Sequence, residues 1–113
     1  MPYDEKLADR IRQVLPKQKA ISERKMFGGI AFMLGGNMCC GVAKDLLMAR
    51  IGPEGYERAL REPYVQPMDF TGRPLRGFVY VSPAGYQTDE SLESWVGRAV
   101  RFASSLPPKT GTV

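Results

Sequence analysis

The sequence contains no histidine among its 113 residues. This absence excludes Ser-His and Cys-His nucleophilic pairs, acid–base catalysis by imidazole, and every metal signature that includes histidine. The carboxylates, lysines and tyrosines that remain form no recognisable catalytic motif. We therefore expect a protein that is not an enzyme and that uses no cofactor.

Cysteine is scarce as well, since the sequence has two and they are adjacent, Cys39 and Cys40. Neighbouring cysteines cannot close a loop of useful size as a structural disulfide, which fits a reducing compartment. A zinc site needs about four ligands, usually in two separated pairs, so no metal site is expected. Because successive side chains of a strand point to opposite faces, we predict that the two thiols diverge, with one buried and the other either more accessible or under a helix. Either cysteine is thus a candidate reactive thiol for a small-ligand or thiol-dependent activity.

Long apolar runs are also absent, because none approaches the ~18 residues that a membrane-spanning helix requires. The N-terminal segment MPYDEKLADRIR is charged where a signal peptide would be apolar. We therefore expect a cytoplasmic protein with no membrane partner. The net charge of +4 at pH 7 is a modest excess that gives only a weak indication of an anionic partner.

The spacing of apolar residues predicts three helices and five strands. The helices are expected over residues 3–15, from 52–54 to about 60, and from 88–89 to about 105. The strands are expected over residues 26–34, 38–43, 46–51, 66–70 and 77–81. This order of helix, three strands, helix, two strands and helix predicts an α+β fold, a two-layer sandwich with a mainly antiparallel sheet. We expect one domain over residues 1–109 and a flexible tail over 110–113.

Two glycine pairs raise the question of a phosphate-binding loop. Such loops place glycines at fixed spacing just before a helix N-terminus. Here each pair is followed by a strand-like apolar segment. We therefore predict a bulge at Gly28-Gly29 and a hairpin turn at Gly35-Gly36-Asn37, and no phosphate site.

Methionine is well represented, and the six methionines include Met26, Met33, Met38 and Met48 in the predicted sheet. We interpret them as core filling, with adaptable protein contacts as the alternative. Trp95 lies on the apolar stripe of the last helix, so we expect it to anchor the core.

The densest basic run lies between the first helix and the first predicted strand. Short charge runs usually remain solvated, so we interpret this run as a linker. Contact with nucleic acid or another anion is the alternative, and its affinity would fall steeply with salt. The candidate contacts are Lys17, Lys19, Arg24 and Lys25.

The connection DFTGRPLR over residues 69–76 combines an aromatic side chain with two arginines and rigid turn residues. Arginine and aromatic residues are favoured at interfaces, and guanidinium groups bind anions bidentately. The candidate interaction surface is Asp69, Phe70, Arg73 and Arg76. An ordinary solvated hairpin is the alternative, and the two arginines could also add to a nucleic-acid surface.

Four short motifs together carry a resemblance to a known family: KMFGG at 25–29, NMCCGV at 37–42, PMDFTGRP at 67–74 and GFVYV at 77–81. Over residues 3 to 109 the chain resembles the N-terminal domain of the TfoX/Sxy family, the regulators of competence genes. The resemblance implies an architecture like that of secretion chaperones, with the element order given above. It supplies no catalytic residues, and we expect a stand-alone module without the family's second, C-terminal domain.

The resemblance implies a regulatory rather than an enzymatic role. We expect a module that binds a protein partner in bacterial gene regulation. A sheet face that the helices leave uncovered, or a strand edge, could serve this contact or self-association. Homodimerisation is accordingly a secondary expectation, and direct binding of nucleic acid is the alternative function.

Overall fold

The computed structural model describes residues 3–17, 21–26, 28–69, 72 and 74–107. The tail predicted over 110–113 lies outside these residues. The helices are α1 (Glu5–Val14), α2 (Tyr56–Leu60), α3 (Pro83–Tyr86) and α4 (Asp89–Ser105). The strands are β1 (Ile21–Met26), β2 (Gly29–Leu34), β3 (Asn37–Ala43), β4 (Leu46–Arg50), β5 (Val65–Asp69) and β6 (Pro74–Val81). Within the described part of the chain, no helix is long and apolar enough to cross a membrane.

The strands form one antiparallel sheet in the order β1-β2-β3-β4-β6-β5. The first four strands follow one another directly, whereas α2 separates β4 from the β5–β6 hairpin. Because β6 returns to pair with β4, the two edges of the sheet are β1 and β5. The predicted α+β class with an antiparallel sheet is confirmed.

The two longer helices begin at capping side chains. Asp4 Oδ1 accepts hydrogen bonds from the backbone N–H groups of Lys6 at 2.9 Å and Leu7 at 3.2 Å. Thr88 Oγ1 accepts one from the N–H of Ser91 at 3.1 Å. These caps satisfy donors that the first turn of a helix leaves without partners. The span of α4 confirms the helix predicted from residues 88–89 to about 105.

The helices share a core with one face of the sheet, which we call the helix-covered core. α4 lies over β3 and β4, α1 contacts β3 and α4, and α2 packs on β5 and β6. Trp95 is only 4% exposed and belongs to this core, as predicted for an anchor. The sheet contributes to it the fully buried side chains of Phe32, Val42, Leu47, Val79 and Val81.

A second buried cluster, which we call the methionine cluster, lies on the other face of the sheet. Its members are Ala31, Met33, Met38, Ala43, Met48 and Met68. The half-buried side chains packed against it are Met26, Leu75, Phe78 and Tyr80. None of these residues comes from a helix, so the methionines and their neighbours bury one another. Core filling is therefore confirmed for the buried methionines, and this face is not an open apolar surface.

The prediction of a solvated linker before residue 26 is wrong, because Ile21–Met26 forms β1. This strand pairs with β2 in a register that places Ile21 opposite Leu34 and Met26 opposite Gly29. β1 is an edge strand whose central residues are exposed, so it lacks the apolar alternation that marks a strand. With β1 and the short α3, the observed order becomes helix, four strands, helix, two strands and two helices.

The predicted bulge at Gly28-Gly29 is also wrong. Gly28, with φ of 72°, lies in the turn from β1 to β2, and Gly29 is the first residue of β2. The predicted turn at Gly35-Gly36 is confirmed, with φ values of 59° and 82°. The irregularity in this part of the sheet lies instead between Phe32 and Met33, whose partners on β3 are Cys40 and Met38.

Candidate protein-binding cleft

A cleft of about 670 Å³ opens between α2 and the C-terminal half of α4. Its walls are one side of α2, the facing side of α4 and the turn over residues 51–55 that connects β4 to α2. Its lining combines apolar groups, among them Ile51, Ala59 and Phe102, with charged groups from both helices. We call this site the α2–α4 cleft.

The turn at one end of the cleft is held against β6 by backbone hydrogen bonds. The N–H groups of Ile51 and Gly52 both donate to the carbonyl oxygen of Gly77, at 2.8 and 3.2 Å. Gly52 has φ of 90°, and a Cβ built there would lie 2.5 Å from Cδ1 of Phe102. A glycine is therefore needed at this position so that the Phe102 ring can reach the turn.

Two arginines beside the cleft are engaged by the fold itself. Arg98 donates to both carboxylate oxygens of Glu62, at 2.7 and 3.4 Å, and its guanidinium lies 4.2 Å from the centroid of a Trp95 ring. This bidentate pair links α4 to the segment after α2. The Arg50 guanidinium lies 5.1 Å from the ring of Phe78 and 5.4 Å from the ring of Phe102.

Two further arginines line the cleft from opposite walls, Arg58 on α2 and Arg101 on α4. Both are exposed, and neither forms an ion pair with any other described residue. Two acidic residues line the cleft, and Glu62 is neutralised by Arg98. The negative charge of Glu54 therefore remains to balance the two positive charges of Arg58 and Arg101. The cleft is thus an apolar surface around Phe102 flanked by a surplus of positive charge.

The described residues offer no metal chemistry at this cleft or elsewhere. Among them, no group of three or more Cys, Asp or Glu side chains could hold an ion. The arrangement suits recognition instead, since it places guanidinium groups beside an aromatic ring. Such a surface can bind carboxylates while an apolar group packs on the ring.

A comparison with family models finds the TfoX N-terminal domain over residues 13–103, which is most of the chain. The chain belongs to the TfoX N-terminal domain family. No curated protein and no solved structure matches it. Membership confirms the resemblance carried by the four sequence motifs, and it indicates a regulatory or interaction role. The matched residues of this TfoX N-terminal domain include Arg58, Glu62, Arg98, Arg101 and Phe102, which build the cleft.

Two of the basic residues that sequence analysis proposed for nucleic acid, Arg24 and Lys25, lie on opposite faces of the sheet in this TfoX N-terminal domain. Arg24 pairs with Ala31 and Lys25 with Ile30, so their side chains point to opposite faces of β1. Lys17 is exposed just after α1, and Lys19 lies outside the described residues.

The second predicted surface, over residues 69–76, lies at the opposite edge of the sheet. Asp69 and Arg76 are exposed at the end of the β5–β6 hairpin, while Phe70 and Arg73 lie outside the described residues. β6 is four strand spacings from β1, roughly 19 Å. Arg76 on β6 is therefore separated from Arg24 and Lys25 on β1 by most of the width of the sheet.

Sequence analysis missed the α2–α4 cleft because its residues come from distant parts of the chain. One signal was available, since Arg98, Arg101 and Phe102 recur at the spacing that places them on one side of α4. That side of α4 borders the apolar stripe of the helix. The sequence alone does not show that α2 lies opposite this side of α4, because that placement depends on the fold.

Both cysteines lie in the helix-covered core, so the prediction that they point to opposite faces of the sheet is wrong. Cys39 and Cys40 are each 0% exposed. The register passes from Phe32 opposite Cys40 to Met33 opposite Met38, which leaves Cys39 as an extra residue in β3. A bulge of this kind breaks the alternation of side chains, so adjacent residues can share one core.

We expect both thiols to be alkylated slowly in the native protein at neutral pH. The neighbouring Cys39 thiol and burial both raise the pKa of the Cys40 thiol, so it remains protonated, and a protonated thiol is not the nucleophile. Iodoacetamide labelling followed by mass spectrometry would measure the rate, with urea-unfolded protein as the control. Equal rates in native and unfolded protein would contradict the burial of this pair.

Proposed function

We propose that this TfoX N-terminal domain is a non-enzymatic module that binds a partner protein in bacterial gene regulation, and that the α2–α4 cleft is its binding site. Family membership supports the regulatory role. The observation that carries the choice of site is the pair of exposed arginines, Arg58 and Arg101, which line the same cleft as Phe102 from its two helical walls. Neither arginine has an ion-pair partner among the described residues.

The chemistry of the cleft selects an acidic segment that carries an apolar anchor. A carboxylate between Arg58 and Arg101 would gain charge-assisted hydrogen bonds, and an aliphatic or aromatic side chain would pack on Phe102. The volume of about 670 Å³ lies within the range of sites that enclose small ligands, roughly 300 to 1,000 Å³. It therefore suits a few side chains of an extended segment rather than a whole domain.

Nucleic acid is the second candidate, and the distribution of charge favours it less. A nucleic-acid surface concentrates lysines and arginines on one face or along one stripe. In the described part of the chain, the exposed cations of β1 and of the β5–β6 hairpin lie at opposite edges of the sheet. Binding through them would not depend on Arg58, which gives the two candidates different responses to one substitution.

Binding of short synthetic peptides to the purified domain tests the proposal. The series should contain peptides with several Asp or Glu residues around one Phe or Leu, and the same peptides with Lys in place of the acidic residues. We expect binding of the acidic–apolar peptides alone. Arg58→Glu should weaken it at least about tenfold, equivalent to about 1.4 kcal/mol, because the reversed charge repels the carboxylates.

Arg61→Glu is the matched control, because Arg61 is an exposed arginine at the end of the same helix that does not line the cleft. It changes the net charge by the same amount and should leave peptide binding within about twofold, as expected for a charge outside the contact. Equal losses for the two variants would show a nonspecific charge effect and overturn the proposed site. Salt-dependent binding of duplex DNA that Arg58→Glu leaves unchanged would favour the second candidate.

A further inference from the structure

Gly97 occupies the middle of α4, where glycine weakens a helix relative to alanine. The residue has no internal reason to be small, because a Cβ built on it meets no atom within 4 Å. The three other glycines at which a Cβ would have open space, Gly28, Gly55 and Gly72, lie in turns or at a helix start. Gly97 differs from these three because it interrupts a long helix, and nothing in the described part of the protomer accounts for it.

The surface over Gly97 is a hollow of about 390 Å³ between α4 and the C-terminal end of α1. Its lining is mainly apolar, from Val14 and Pro16 on one side and Val96 and Val100 on the other. Val14, Pro16 and Val100 are only half-buried, so they present apolar area to whatever fills the hollow. The hollow is separate from the α2–α4 cleft, and Arg101 borders both.

The charges at the two ends of the hollow are arranged symmetrically about Gly97. Glu93 lies one turn before Gly97 and Arg101 one turn after it, so the three residues form a single stripe along α4. Both charged side chains are exposed, and neither has an ion-pair partner among the described residues. The stripe is negative at one end, positive at the other and has a glycine at its centre. When two copies of it run antiparallel, the negative end of each lies against the positive end of the other.

We propose that this surface of α4 binds a second copy of the chain, with the two α4 helices crossing antiparallel at Gly97 on a twofold axis. In such an isologous contact, Glu93 of each copy meets Arg101 of the other, and both ends of the stripe are neutralised. The glycine lets the two backbones approach closely, since the usual separation of 8–10 Å between packed helices is set by the side chains at the crossing. The half-buried valines then cover one another.

The other surfaces considered for self-association fit less well. The methionine cluster is already buried within the protomer. Edge strand β1 presents Glu23, Arg24 and Lys25 to solvent, and edge strand β5 contains Pro67. Charges and proline at an edge oppose the addition of another strand. The helical stripe is the surface whose charges are self-complementary.

Sedimentation equilibrium from low micromolar to millimolar concentration tests this dimer without any further ligand. One helix crossing is smaller than a standard interface, so we expect a weak dimer of the wild type that salt weakens further. Glu93→Arg and Arg101→Glu should each lower the association constant at least about tenfold, because each places like charges together at both ends. A strict monomer over the whole range would overturn the proposal.

An equimolar mixture of the two single variants gives the sharpest outcome. At one end of the contact, Glu93→Arg of the first chain meets Arg101→Glu of the second. At the other end, the unchanged Arg101 of the first chain meets the unchanged Glu93 of the second. Opposite charges therefore meet at both ends. We expect the mixture and the double variant to recover the association constant to within about threefold of the wild type, as complementary charges are restored. Failure of both to recover would contradict the antiparallel pairing even if the wild type dimerises.

Gly97→Ala separates the role of the glycine from that of the charges. The added methyl group enters open space in the protomer, so the fold should be retained and its unfolding midpoint raised. At the crossing it should lower the association constant about tenfold, because it prevents close approach of the backbones. An unchanged dimer in this better-folded variant would overturn the crossing at Gly97. Arg101 borders both sites, but Arg58 lines only the α2–α4 cleft, so Arg58→Glu should weaken peptide binding and leave the dimer association constant unchanged, which keeps the two proposals distinguishable.

Discussion

Replacement of Gly29 by alanine is expected to prevent stable folding, with a loss of at least about 3 kcal/mol in the free energy of unfolding. The new Cβ would lie 1.8 Å from the carbonyl oxygen of Val42 and 2.8 Å from its carbonyl carbon. These are backbone atoms of β3, which pairs with β2 in the interior of the sheet. These atoms cannot move without breaking the hydrogen bonds between β2 and β3, so the structure cannot accommodate the methyl group.

Gly28→Ala is the matched control for this prediction. Gly28 has φ of 72°, but a Cβ there meets no atom within 4 Å. Its cost is the left-handed backbone alone, about 1 to 2 kcal/mol for a residue other than glycine. Urea unfolding followed by circular dichroism would rank the two variants. A larger loss for Gly28→Ala than for Gly29→Ala would contradict the close approach of β2 and β3.

The two neighbouring glycines show where sequence analysis stops. The glycine pair in KMFGG predicted a bulge within one strand, and it could not show that Gly28 serves a turn and Gly29 a close strand contact. That distinction depends on the register of β2 against β1 and β3, which long-range pairing sets. The same register places the bulge at Cys39, so the orientation of both thiols was also beyond local pattern.

Elements with a strong apolar period were predicted well, and those without one were missed. The stripe of α4 specified both its span and its buried side, including Trp95. β1 has mostly exposed side chains, and only its pairing with β2 makes it a strand. Family membership could be inferred from short motifs because these mark turns and strands of the fold. The α2–α4 cleft could not, since it arises from the packing of segments about forty residues apart, Arg58 and Arg101 among them.

Met48→Ala is expected to lower the free energy of unfolding by about 2 to 4 kcal/mol. Met48 is 0% exposed within the methionine cluster, whose described members all come from strands. Its Cε also lies close to Gly41, within 2.8 Å of the position that a Cβ on that glycine would take. Truncation would therefore leave a cavity that the paired backbones of β3 and β4 cannot close.

Met26→Ala is the control that distinguishes core filling from protein contacts as the role of the methionines on this face of the sheet. Met26 is half-buried at the margin of the cluster, so its loss should cost less than about 1 kcal/mol, as for partly exposed apolar area. If Met48→Ala lowered the free energy of unfolding as little as Met26→Ala, the methionines would be accessible. This face of the sheet would then be a candidate surface for adaptable protein contacts. A large difference instead means that the sheet carries a core on each side. Such a result would support the helical side, where the α2–α4 cleft and the stripe at Gly97 lie, as the side for the proposed contacts.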